Sequence, residues 1–290
     1  MKNLSAKDTK IERKSTIRVG GRIIDISSPH IFGIVNLTPD SFFDGGTLHS
    51  EEDVLAKVSK MIENGADGID LGAQSTRPKA EQIGAEAEWT RLKNALIRIR
   101  KEHPNTLISI DTYHSSVAER AADCGADIIN DISGGTFDTN MFETVAKLKL
   151  PYVLMHIQGN VETMQVNPNY THVVEEIVAN LATKTRQLME LGVNDVLIDP
   201  GFGFGKTVEQ NFEILRNLDY FHELGHPLFV GLSRKSMIWK SLNSSPSEAL
   251  NGTTALNMIA LEAGAHILRV HDVQAAMETR TLWRQLNKSK

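Results

Sequence analysis

The sequence has one cysteine, Cys124, so it can form no intrachain disulfide. In "AADCGAD" that thiol lies among small residues near an expected helix end, which predicts a buried structural thiol. No apolar run approaches the roughly eighteen residues needed to cross a bilayer, and "MKNLSAKDTKIERKSTIRV" lacks the apolar centre of a secretory signal. Together these absences predict a cytoplasmic protein with no membrane segment. Basic charge is also in short supply: 31 Lys and Arg face 36 Asp and Glu, a formal net charge of -5. Such a chain has no general positive field for a phosphate backbone, so nucleic acid is not an expected partner. HExxH and clustered Cys/His spacings are missing, which removes zinc from the expected chemistry.

What the chain does have is enough apolar material for a large core, 41% hydrophobic residues against 23% charged over 290 residues. Residues 1–15 are polar and expected to be a flexible segment, with residues 16–290 forming a single domain. Gly20-Gly21 between "TIRV" and "RIID" predicts a short β-hairpin ahead of the main body. The body then alternates "IFGIV", "GIDLG", "LISI", "DIIN", "PYVLM", "DVLIDP", "LFVGL" and "HILRV" with amphipathic stretches. Those stretches predict helices near 51–64, 86–102, 115–124, 140–149, 171–191, 208–219, 246–263 and 272–286. Four joins, "ENGADGID", "DCGADIIN", "ELGVNDVLID" and "EAGAHILRV", place Gly after a helix and a strand directly behind it. One left-handed turn is being reused.

Nearly continuous apolar strands separated by helices imply parallel strands covered by helices, and eight such units imply a (β/α)8 TIM barrel. The alternative is an open doubly wound sheet, which gathers its ligand at one strand-order reversal. Here polar residues follow almost every strand, which favours the barrel: Asn36, Asp70, Asp111, Asn130 with Asp131, His156, Asp199, Ser233-Arg234-Lys235, and Arg269 with His271. A barrel brings such strand ends around one mouth.

Asp111, Asn130 and Asp199 offer the mixed donors and acceptors that suit the edge of a flat heterocycle. "GLSRKS" and "LRVHD" supply cations for an anion, with Arg234 expected to face solvent more than Lys235. "DPGFGFGKT" fails the Walker spacing because Pro200 stands where Gly is required. It is a tight glycine-rich turn in which one of Phe202 and Phe204 is core and the other lines the cavity. Two long loops follow the first two strands. Asp40, Ser41, Asp44, Gly45, Gly46 and Thr47 favour turns in one; Arg77 and Lys79 of the other can approach an anion. Any metal is expected to be Mg2+, carried with phosphate oxygens and a neutral ligand such as Asn36.

From about Ile31 to Asp272 the chain resembles the dihydropteroate synthase family of pterin-binding barrels. The motifs are "GIVNLTPDSFFDGG", "STRP", "SIDTY", "IINDISGG", "LMHIQG", "DPGFGFGKT", "GLSRKS" and "RVHD", in the family's order. The resemblance implies condensation of 6-hydroxymethyl-7,8-dihydropterin diphosphate with 4-aminobenzoate, giving 7,8-dihydropteroate and pyrophosphate in folate biosynthesis. It implies Asp111, Asn130, Asp199 and Lys235 as the pterin set, with Met155 against the ring. Asn36 would hold magnesium, and Arg269 with His271 would anchor the diphosphate. Thr76, Arg77, Phe204 and Ser233 would form the aminobenzoate pocket and its closing loop. The catalytic residues on this reading are Asp111, Lys235, Arg269 and His271. A homodimer through outer helices is also implied.

The second loop departs from the family pattern. Ala73-Gln74 replaces the usual Gly-Glu before "STRP", and Lys79 replaces the Gly after it. Two other readings remain open at this point. A methyltetrahydrofolate-dependent methyltransferase domain would keep the pterin set without needing the Arg269–His271 anchor. A silent binding protein would keep the pocket without turnover.

Overall fold

The computed structural model describes residues 14–38, 50–75, 82–161 and 163–288. Strands β1 (Thr16–Val19) and β2 (Arg22–Asp25) pair antiparallel across Gly20 and Gly21, whose φ of 53° and 78° suit the primed hairpin turn. The main sheet follows with β3 (His30–Asn36), β4 (Gly68–Gly72), β5 (Leu107–Asp111), β6 (Ile128–Asp131), β7 (Tyr152–Met155), β8 (Val196–Asp199), β9 (Phe229–Val230) and β10 (Ile267–Val270). Neighbours run β8-β7-β6-β5-β4-β3-β10-β9, all parallel, and a parallel bridge from Ile198 to Leu228 joins the two ends into a barrel. The eight expected strands are all present.

Helices α1 (Glu51–Glu63), α2 (Ala85–Glu102), α3 (Ser115–Asp123), α4 (Met141–Leu148), α5 (Val173–Glu190), α6 (Val208–Arg216), α7 (Ser236–Ser241), α8 (Leu250–Glu262) and α9 (Val273–Leu286) pack outside the strands. The reused turn is real: Gly65, Gly125, Gly192 and Gly264 have φ of 94°, 92°, 87° and 89°. Two helix boundaries differ from expectation. The helix expected over 208–219 stops at Arg216, and Leu218–Leu224 tightens into a 3-10 turn; Pro246–Glu248 is likewise 3-10, ahead of α8. At six residues, α7 is too short to show a helical period, and it is absent from the helices expected above. Cys124 follows α3 half-buried against the core rather than fully enclosed. No helix among the described residues is long and apolar enough to cross a membrane.

Strand alternation determines what reaches the barrel interior. Phe32, Leu107, Ile128, Val153, Leu197, Phe229 and Ile267 form one buried cluster with Ile17, Val19 and Ile26 of the hairpin segment. The hairpin therefore plugs the N-terminal end of the barrel. Two residues further along β6, β7, β8 and β10, the inward positions become Asn130, Met155, Asp199 and Arg269. Ile31, Ile69, Leu71, Ile129, Leu154, Ile198 and Leu268 face the helices instead. The apolar floor leaves the polar mouth at the C-terminal end.

Candidate active site

The strand register brings the polar tips level. Asn36 pairs with Gly72, Gly72 with Asp111, and Asp111 with Asn130, while Met155 pairs with Asp199 across the next two strands. Side chains distant in sequence thus line one end of the barrel without any loop having to place them.

Arg269 is the hub. Its Nε donates to Asp70 Oδ2 at 2.5 Å and one terminal nitrogen donates to Asp111 Oδ2 at 2.7 Å. Asn130 Nδ2 lies 3.2 and 3.3 Å from the two Asp70 oxygens. Burial pushes the Asp111 carboxyl up to about 7 against the pull of Arg269. Burial works to lower Arg269, but Asp70 and Asp111 outweigh it and hold the guanidinium above its ordinary value. Asp70 is wholly buried, a member of the polar ring that the assigned site residues omit. Its inward position follows from the same alternation that points Ile69 and Leu71 outward. Asp131 is the converse case: it accepts from the Tyr152 hydroxyl at 2.6 Å and from the amides of Ser133 and Gly135, on the helix side of the strand.

Asp199 is buried and its Oδ1 accepts the Gly201 amide at 2.7 Å. Burial raises its carboxyl, opposed chiefly by the Lys235 charge. Burial lowers Lys235 to about 8, with Asp199 pulling the other way. The Lys235 ammonium donates to the Phe202 carbonyl and stands 4.8 Å from the Phe204 ring centroid. Phe202 is fully buried in the core, whereas Phe204 borders the apolar group of Tyr113, Ile132, Met155 and Ile157. Of the two phenylalanines, Phe202 is the core one.

His271 lies just past β10, its Nδ1 3.0 Å from Ser233 Oγ, which also accepts the His271 amide at 3.1 Å. Burial and then Arg269 push His271 down to about 3, so it offers a hydrogen bond and no charge at neutral pH. Arg234 does not face solvent. Its backbone is left-handed at φ 56°, and the side chain binds Asp272 through two bonds of 2.8 Å and the carbonyls of Pro246 and Ser247. With 8% of that side chain exposed, Arg234 fastens the turn after β9 to the start of α9. His156 also turns from the mouth, toward Lys206, whose ammonium lies 3.1 Å from His156 Nδ1.

Thr76, Arg77 and Lys79, and the turn-favouring residues Asp40, Ser41, Asp44, Gly45, Gly46 and Thr47, lie outside the described residues. Beside the second loop, Gln74 Oε1 accepts the Ile83 amide at 3.1 Å while its Nε2 donates to the Ser75 carbonyl at 3.3 Å. Only an amide can do both, which gives Gln74 a structural use that a glutamate there would lack. Glu88 of α2 is fully buried, with neither carboxylate oxygen hydrogen-bonded to a described residue and His114 Nε2 3.7 Å away. Burial raises it to about 7.

No group of three or more His, Cys, Asp or Glu among the described residues could hold a metal ion. The donor set fits magnesium in one form only, an ion carried largely by phosphate oxygens and water with the Asn36 amide oxygen as a protein ligand.

Comparison with known proteins gives the family and the fold. A family model described as pterin binding enzyme matches residues 32–271. Haemophilus influenzae dihydropteroate synthase is 40% identical over 264 residues, covering 90% of this chain and 95% of that protein. The Yersinia pestis dihydropteroate synthase structure with a sulfonamide drug complex superposes with a TM-score of 0.90 at 35% identity, covering 95% of this chain and all of that one. The Xanthomonas albilineans enzyme with 4-aminobenzoic acid gives 0.86 at 36% identity, over 94% and 98%.

Proposed function

The chain belongs to the dihydropteroate synthase family of pterin-binding enzymes, and from that premise we infer that its barrel mouth joins 6-hydroxymethyl-7,8-dihydropterin diphosphate to 4-aminobenzoate. The products are 7,8-dihydropteroate and pyrophosphate, and the setting is cytoplasmic folate biosynthesis. The observation that carries the assignment of roles is Arg269, which binds Asp70 and Asp111 at the floor of the mouth, next to the Asp199–Lys235 pair.

Asp111, Asn130 and Asp199 take the donor and acceptor edge of the pterin, with Lys235 on the same ring and Met155 beneath it. The guanidinium of Arg269 has five N–H groups, so holding two carboxylates leaves donors for the diphosphate. His271 adds a neutral hydrogen bond, and Asn36 would share magnesium with the phosphate oxygens. When bound, the metal supplies charge neutralisation to the leaving group. The carbon–oxygen bond breaks with its electron pair going to the diphosphate, and a methylene cation conjugated with the dihydropterin remains. Asp111 provides the opposing charge. The aromatic amine then forms the carbon–nitrogen bond and releases its proton to water or pyrophosphate, without a covalent enzyme intermediate. Thr76, Arg77, Phe204 and Ser233 hold the aminobenzoate, and the same pocket makes the protein a sulfonamide target.

A homodimer fits the exposed apolar residues of the outer helices, Leu250 and Ile259 on α8 with Leu282 and Leu286 on α9. Sedimentation that stays monomeric at micromolar concentration would remove that part. The reaction is tested by pyrophosphate release from purified protein with each component omitted in turn. Release must require the pterin diphosphate, 4-aminobenzoate and Mg2+ together; methyl transfer, or binding without product, would favour the other pterin-barrel readings.

A further inference from the structure

The glycine-rich turn after β8 contains a lysine to which the reaction above gives no task. Lys206 is 3% exposed. Its ammonium lies 2.8 Å from the Gly201 carbonyl, 2.9 Å from that of Phe204, 3.3 Å from that of His156 and 3.1 Å from His156 Nδ1. That makes four acceptors for three N–H bonds. Burial, then the Lys206 and Lys184 charges, keeps His156 neutral by lowering it to about 2, so Nδ1 can present a lone pair.

Other donors hold the rest of the turn. The Phe202 carbonyl accepts from Lys235, the Gly203 carbonyl from Gln165 Nε2 at 2.6 Å, and the Gly205 carbonyl from the Tyr170 hydroxyl at 3.0 Å. Every carbonyl from Gly201 to Gly205 therefore accepts a side-chain hydrogen bond. The turn also lies directly on the backbone that follows β7: a Cβ at Gly201 would come within 1.9 Å of the His156 carbonyl oxygen, and one at Gly205 within 2.6 Å of that of Gln158. The segment has no slack along one side and is fixed by donors on the other.

An ammonium buried among carbonyls, with no carboxylate in contact among the described residues, is an expensive choice if stability alone is the purpose. Its position explains the choice. Lys206 donates to the carbonyl of Gly201, the residue whose amide donates to Asp199, and its charge is among those opposing the rise that burial imposes on the Asp199 carboxyl. The carbonyls it orients belong to the turn that carries Phe204 and the resting place of Lys235. We propose that Lys206 is a positioning residue: through the Gly201–Gly205 turn it sets the Phe204 ring and the Lys235 ammonium against Asp199, and so tunes the affinity for both substrates without touching either. This rests on the synthase reading of the same pocket.

The test compares wild type with Lys206→Met, which keeps the length and removes every donor. Because Asp111 and Arg269 are left in place, KM for 4-aminobenzoate and for the pterin diphosphate should each rise roughly tenfold with kcat within about threefold. A folded variant with wild-type KM values, or one that loses kcat alone, overturns the proposal. Hydrogen exchange without substrates reads the positioning independently of turnover. Amides of 201–207 should lose protection in the variant while those of β7 keep theirs, and equal protection at 201–207 overturns the proposal even if the wild-type chain proves to make no dihydropteroate. Should the Met variant fail to fold, Lys206→Gln is read in the same way: its amide meets at most two of the acceptors, so KM for 4-aminobenzoate should rise about two- to fivefold. A wild-type KM in that variant counts against the role.

Discussion

Asp111 sits between two demands: Arg269 holds its carboxyl in the resting site, and on the proposed mechanism the pterin would need its charge as the diphosphate leaves. A carboxamide there keeps the hydrogen-bonding shape and drops the charge. Asp111→Asn should lower kcat by about 100-fold or more while changing the Kd for the pterin diphosphate far less, measured by steady-state kinetics beside calorimetry. Equal turnover would remove Asp111 from the chemistry. Glu88 allows a test on stability. Its native carboxyl is raised to about 7 from an ordinary 4.5, so the folded state binds the extra proton between those values. Stability from this group is therefore full below about 4.5 and falls as pH rises to about 7. Glu88→Gln should stabilise the protein at pH 8 by on the order of 2–3 kcal/mol, with little effect at pH 4.5. A uniform gain across that range in chemical denaturation would refute the assignment. At this scale the sequence was legible where a side chain's type matched its place at a strand tip, as for Asp111, Asn130 and Asp199. It was not legible for Arg234 or Lys206, whose partners come from Asp272 and from turn carbonyls that no local pattern announces.

Among the elements, the hairpin decides which end of the barrel is available. Ile17, Val19 and Ile26 close the N-terminal end against Phe32, Leu107 and Phe229. Ile17→Ala should cost about 2–5 kcal/mol in denaturant unfolding. The KM values should be unchanged below the melting range, because the lost methyls lie at the opposite end from Arg269; a changed KM would tie the plug to the site. Strand positions were readable because buried parallel strands are short apolar runs bounded by turn glycines. Helix ends were less so: the α6 pattern continues past Arg216, yet Asn217 and the following 3-10 turn end the regular helix. The Gln74 departure from the family pattern becomes intelligible only with Ser75 and Ile83 in place, because its value lies in donating and accepting at once.

For the whole molecule, parallel pairing from β8 round to β9, closed by Ile198 and Leu228, puts eight strand ends at one mouth and an apolar plug at the other. That division made the place of the site readable before any contact was known, since residues from Asn36 to His271 have no other common location in a closed barrel, while the reaction itself was read from the resemblance of the motifs to the family. What the chain order could not convey was the wiring inside the mouth, above all that Asp70 and Asp111 share one guanidinium. The most direct measurement is a crystal structure of the protein with a non-reacting analogue of the pterin diphosphate. The account predicts the ring edge on Asp111, Asn130 and Asp199 and the diphosphate on the open donors of Arg269 beside His271 and Asn36. A diphosphate bound away from Arg269, with the ring still on those three residues, would contradict it.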